Sequence, residues 1–151
     1  MYLISTKEAL KYVQQLEDAT LPIEKWSHGM HLLVGLYIVL NYKEEALPAM
    51  RERIWRYNEI MGKGNDNKGY HETLTVFWLW AVRQFALENN ITTFDEVSVD
   101  FLIFDETLGK RKLIEEYYHI AVLMSPYARQ HFEYPEFKDM EGVDYFLKKK
   151  V

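Results

Sequence analysis

The chain has 151 residues, of which 48% are hydrophobic and 15% aromatic, and a formal net charge of −5. Apolar content of that order at this length supports a packed core and excludes a disordered chain; the acidic balance excludes a protein that grips nucleic acid through a basic face. Cysteine is absent, which removes disulfides, thiolate metal ligands and a cysteine nucleophile.

No basic segment followed by an apolar run opens the chain, and the longest apolar stretch, Leu32 to Leu40, is far short of the ~20 residues a membrane span needs. The expectation is a soluble cytoplasmic protein, one domain over residues 1–151, without membrane or nucleic-acid partners. Lys148-Lys149-Lys150 reads as a solvated tail.

In chain order, Ser5-Thr6-Lys7-Glu8 has the pattern of a capping box, and Ala9, Tyr12, Val13 and Leu16 continue a first helix to about Glu17. Ser27 suits the N-cap of a second helix, His28 to about Tyr42. His28, His31, Gly35, Ile38 and Tyr42 share one of its faces. Gly35 in mid-helix costs roughly 1 kcal/mol against alanine, and helix–helix contact is the preferred reason for it. A third helix spans about Glu44 to Met61, burying Leu47, Met50, Ile54, Tyr57 and Met61 and turning Arg51, Glu52, Arg53, Arg56 and Glu59 largely to water. Gly62 to Gly69 is a polar, glycine-rich loop. A fourth helix begins at Tyr70 or His71, runs to about Glu88 and is apolar nearly all round, which makes it central.

Beyond it, Thr93-Phe94-Asp95-Glu96 is read as a capping box for a helix with Phe94, Val97, Phe101 and Phe104 as its buried stripe. A short helix carries Leu113, Ile114, Tyr117 and Tyr118. Ser125-Pro126 starts another, to about Phe132, and Pro135 onward looks extended and peripheral. The pattern predicts an all-α up-down bundle of about four core helices with extra C-terminal helices.

Short connections make consecutive helices antiparallel, so the second and fourth start at the same end. Three of the five histidines, His28, His31 and His71, then gather at one rim. Glu17, Asp18, Tyr57 and Asn58 arrive there from the ends of the first and third helices, and the Gly62–Gly69 loop overhangs it. Helix N-termini disfavour imidazolium, leaving the neutral ring that ligates metal or acts as a base. His28, His31 and His71 are therefore a candidate ligand set for a divalent transition metal, Zn, Fe, Mn, Ni or Cu. Glu72, about 100° round the helix from His71, is the candidate base to a bound water or a support to the ligands, with Tyr70 and Thr75 assisting. On that reading the protein is a metal-dependent enzyme acting on a small molecule.

The same positive helix ends repel a cation and attract an anion. A second reading is thus a non-catalytic pocket for a small anionic molecule, and a third is a structural histidine cluster at a polar end of the core. Trp26, Trp55, Trp78 and Trp80 read as packing, with Trp26 and Trp78 nearest a pocket. His119 and Arg129 read as surface residues, and His131 has no evident role. No P-loop, nucleophile elbow or dinucleotide-binding turn is present, and the oligomeric state is not legible.

Trp26-Ser27-His28-x-x-His31-Leu32, Arg56-Tyr57-Asn58 and Gly69-Tyr70-His71-Glu72-Thr73-x-Thr75, with Tyr117-Tyr118, Leu123-Met124-Ser125-Pro126-x-Ala128-Arg129 and Pro135-Glu136 further on, resemble the motifs of a family of small bacterial and fungal helical proteins with no established function. The resemblance spans roughly Leu21 to Met140 and marks His28, His31, Tyr70, His71, Glu72 and Thr75. The chain departs from the family at His119, where a small polar residue is usual. The resemblance implies a helical fold and a site at those positions, and brings no substrate or reaction.

Overall fold

The computed structural model describes residues 4–65 and 69–147. Within them the helices are α1 (Thr6–Glu17), α2 (His28–Tyr42), α3 (Ala46–Ile60), α4 (Glu72–Glu88), α5 (Glu96–Ile103), α6 (Ile120–Leu123) and α7 (Pro126–Gln130), joined by short 3₁₀ turns. No strand occurs among the described residues, and the expected all-α fold with a packed helical core is the one observed. No helix among them is long and apolar enough to cross a membrane. The Lys148–Lys150 tail and residues 66–68 of the expected overhanging loop lie outside the described residues.

Local chemistry sets the helix starts. Ser5 Oγ accepts the Glu8 N–H at 3.1 Å, Ser27 Oγ that of Met30 at 3.3 Å and Ser125 Oγ that of Ala128 at 3.2 Å, each satisfying a donor the first helical turn cannot. At α5 the box is formed by Asp95 and Ser98, not by Thr93 and Glu96. The Glu96 N–H instead bonds Thr6 Oγ1, while the Glu96 carboxylate accepts from the Thr6 N–H, tying α5 to the start of α1.

The centre of the molecule is the α2–α4 pair. Leu32, Leu33, Val34, Leu36 and Ile38 of α2, and Val76, Phe77, Leu79 and Val82 of α4, are almost wholly withdrawn from water. A helix apolar on all sides needs neighbours on all sides, and α2 touches α1, α3, α4 and α5. His28 lies against Trp78 and Gly35 against Leu79 and Val82, so the two helices run in the same direction and begin together. α3 runs opposite, bringing Asn58 back to that end. Arg53 and Arg56, expected to face water, reach Glu17 at the end of α1, at 2.6 and 3.7 Å, and the Tyr57 hydroxyl donates to the Leu21 carbonyl at 2.8 Å.

Gly35 sits at the α2–α4 contact, yet a methyl there would lie 3.8 Å from Val82 Cγ2 and 4.0 Å from Leu79 Cδ2, ordinary packing distances. Gly35→Ala is therefore expected to stabilise the fold by up to about 1 kcal/mol through helix propensity. A urea melt showing destabilisation would reveal a tighter contact than these distances allow.

Two expectations are corrected. On α5 the buried face is Ser98, Val99 and Leu102, while Val97, Phe101 and Phe104 are 50–59% exposed. Both stripes have helical spacing, and only docking against α2 chose between them. The segment after Pro135 is not peripheral either: Met140, Val143 and Phe146 are buried, and the Glu141 carbonyl accepts from Trp80 Nε1 and Gln84 Nε2, each at 2.8 Å.

Candidate functional site

Where α2 and α4 begin and α3 ends, the helices enclose a cavity of about 370 Å³. Gly35, Met50, Ile54, Leu74 and Leu79 supply its apolar surface, and Trp26 and Trp78 its aromatic walls. Both tryptophans singled out in the sequence are thus at the cavity. Lys63 and Gly69, from the two ends of the glycine-rich loop, also line it. The first of those ends is pinned: Asn58 Nδ2 donates to Asn65 Oδ1 at 3.0 Å, and Asn65 Nδ2 donates to the Trp55 carbonyl and to Glu59.

All three predicted histidines line the cavity, but each is held differently. His31 stacks on Trp26 with ring centroids 3.7 Å apart, and its Nδ1–H donates to the Ser27 carbonyl at 2.7 Å. Burial pushes its pKa down to about 4; Lys63 and His28 add to this, against the opposing Ser27 carbonyl. His28 packs edge-on against Trp78 and donates Nε2–H to the Leu108 carbonyl at 2.8 Å. Burial lowers its pKa too, with the Arg111 guanidinium reinforcing the shift.

His71 has a different task. It is the N-cap of α4, its Nδ1 accepting the Leu74 N–H at 3.2 Å while its Nε2–H donates to the Leu123 carbonyl at 2.7 Å. Both nitrogens are committed to backbone, so the expected metal-ligand role is corrected: no lone pair remains for a cation. Desolvation keeps this ring below its ordinary pKa. Among the described residues no group of three or more His, Asp or Glu side chains could hold one metal ion, and His28 and His31 alone fall short of a protein site. The residues present do not fit the expected Zn, Fe, Mn, Ni or Cu centre.

Glu72 is corrected for a similar reason. Its carboxylate takes a fork from Arg51, Nε at 3.0 Å and Nη2 at 2.5 Å, and accepts the Tyr70 hydroxyl on Oε1. It does not line the cavity, and a carboxylate spent on a guanidinium and a phenol is a structural tie rather than a base. Tyr70 does line the cavity, but burial and the neighbouring Glu72 hold its hydroxyl well above its ordinary pKa. Thr75 donates to the His71 carbonyl at 2.9 Å, steadying the capping turn rather than orienting a catalytic group.

The C-terminal helices brace the same turn. The Thr73 hydroxyl donates to the Ala128 carbonyl at 2.6 Å and accepts the Glu133 N–H at 3.1 Å. Arg129, read as solvent-facing, donates to the Tyr70 carbonyl at 3.2 Å. His119 is exposed, as expected, and His131 stacks on Tyr127 outside the cavity.

Sequence reasoning missed two residues. Lys63 was only part of a loop, and Arg111, in the 3₁₀ turn Arg111–Glu116, carried no signal at all. Both line the cavity, whereas no aspartate or glutamate among the described residues does. Glu17 and Asp18, expected at this rim, are not on its wall, while Asn58 is. Compared with protein-family models, curated proteins and solved structures, the chain finds no match.

Proposed function

We propose that this protein is a small-molecule binder whose cavity takes an organic anion with a flat, apolar body. The observation that carries the reading is the wall itself: largely apolar and aromatic, with Lys63 and Arg111 and, among the described residues, no carboxylate, in a chain of net charge −5. Acidic residues outnumber basic ones in the chain, yet none of the described ones lines this concavity. A pocket of this size suits an occupant of about 12–25 non-hydrogen atoms. The apolar walls strengthen the attraction of the half-buried Lys63 for an anion, the exposed Arg111 adds a second, more water-screened cation, and the first turns of α2 and α4 add positive ends.

Isothermal calorimetry with 2-naphthoate, against the neutral 2-naphthylmethanol, tests the proposal. The carboxylate is expected to bind and the alcohol to bind at least about tenfold more weakly, with Lys63→Ala and Arg111→Ala each costing about tenfold in affinity for the carboxylate. Equal affinity for both compounds, or indifference to both substitutions, would remove the anion from the reading. Stoichiometric metal in untagged protein, lost in His31→Ala, would put a metal site in its place.

A further inference from the structure

The proposed anion accounts for the cations and leaves the two histidines unexplained. A backbone carbonyl only accepts, so the 2.7 Å contact to Ser27 assigns the His31 proton to Nδ1, and the 2.8 Å contact to Leu108 assigns the His28 proton to Nε2. His31 Nε2 and His28 Nδ1 are then bare acceptors. Among the described residues neither has a partner, and no buried side-chain nitrogen or oxygen of those residues lacks one, so both nitrogens open to accessible space beside the cavity their rings line. The lowered pKa of each ring supports the neutral state that this tautomer needs. At i and i+3 the two side chains leave α2 about 5–6 Å apart, within the span of one aromatic ligand.

Resting on the anion-binding reading, we infer that the ligand carries, besides its anionic group, hydroxyl or N–H donors that pair with His28 and His31; the class that fits is a hydroxylated aromatic carboxylate. An occupant without a donor displaces water from two lone pairs and returns nothing to them. Sites built to hydrogen-bond a substrate reject the analogue that lacks the group, because the protein's own polar atom is left unpaired.

The test compares 2-naphthoate, its positional hydroxy isomers and their methyl ethers by calorimetry on the wild-type chain. At least one hydroxy isomer is expected to bind about tenfold or more tighter than both 2-naphthoate and its own methyl ether. That preference is expected to shrink in His31→Phe, which keeps a ring to stack on Trp26, and in His28→Phe. If 2-naphthoate binds and no hydroxy isomer is preferred over its ether, the donor inference is overturned while the anion reading stands. If none of the carboxylates binds, the anion reading falls and takes the inference with it. The ligand comparison on the unaltered protein decides the matter even where a histidine variant fails to fold.

Discussion

Gly69→Ala is expected to destabilise the protein by about 3 kcal/mol, lowering the melting temperature by roughly 6–12 °C, and to abolish naphthoate binding. Gly69 has φ +84°, and a Cβ added there would lie 2.0 Å from the Gly64 carbonyl oxygen and 3.2 Å from Asn58 Nδ2. The left-handed backbone alone costs an L-residue about 1–2 kcal/mol. The clash adds to this because the obstacle is main chain rather than the end of a flexible side chain. Relieving it parts the two ends of the loop that bring Lys63 and Gly69 to the cavity. Gly62 is the control: its φ is +75° with nothing within 4 Å, so Gly62→Ala should show only the backbone cost. Differential scanning calorimetry of the two variants separates strain from clash, and equal melting temperatures would mean that the loop relaxes freely.

Acid destabilisation through His31 is the second large effect. Its pKa falls from 6.5 to about 4 on folding. Well above pH 6.5 the ring is neutral in both states and contributes no pH dependence. Between those values the unfolded chain takes up a proton that the folded one refuses, so stability drops as pH falls. The loss is about 2 kcal/mol by about pH 5 and about 3 kcal/mol by about pH 4, where it nears completion. His28 and His71 are also lowered and act in the same direction. Urea melts at about pH 7 and about pH 5, at fixed ionic strength, should show the drop in the wild type and a much shallower one in His31→Phe. That interval lies above the range in which ordinary carboxylates titrate. Equal slopes for the two proteins would show that His31 is not held neutral by the fold.

The sequence motifs and the cavity agree on location more than on role. Trp26, His28, His31, Tyr70, His71, Thr75 and Trp78 all line one space, because α2 and α4 are parallel neighbours and the residues at and just before their starts come to the same end of the fold. What each does there was not legible. His71 looks like a ligand in the chain and proves to be a cap, a job usually done by serine, threonine, asparagine or aspartate. Glu72 looks like a base and proves to be Arg51's partner, a pairing across 21 residues that no local pattern announces.

The chain by itself determined the all-α fold, the serine-capped starts of α1, α2 and α7 and the central place of α2 and α4, since capping chemistry and apolar periodicity act over a few residues and are written in the order of residues. Tertiary packing alone decided which of the two apolar stripes of α5 was buried, that Arg129 and Thr73 would bind the C-terminal helices to the head of α4, and that Lys63 and Arg111 would stand over the cavity. Those outcomes depend on which surfaces meet in three dimensions. The energy of a charge or a lone pair is set by what lies within a few ångströms of it in space, and for these residues that neighbour is far away along the chain.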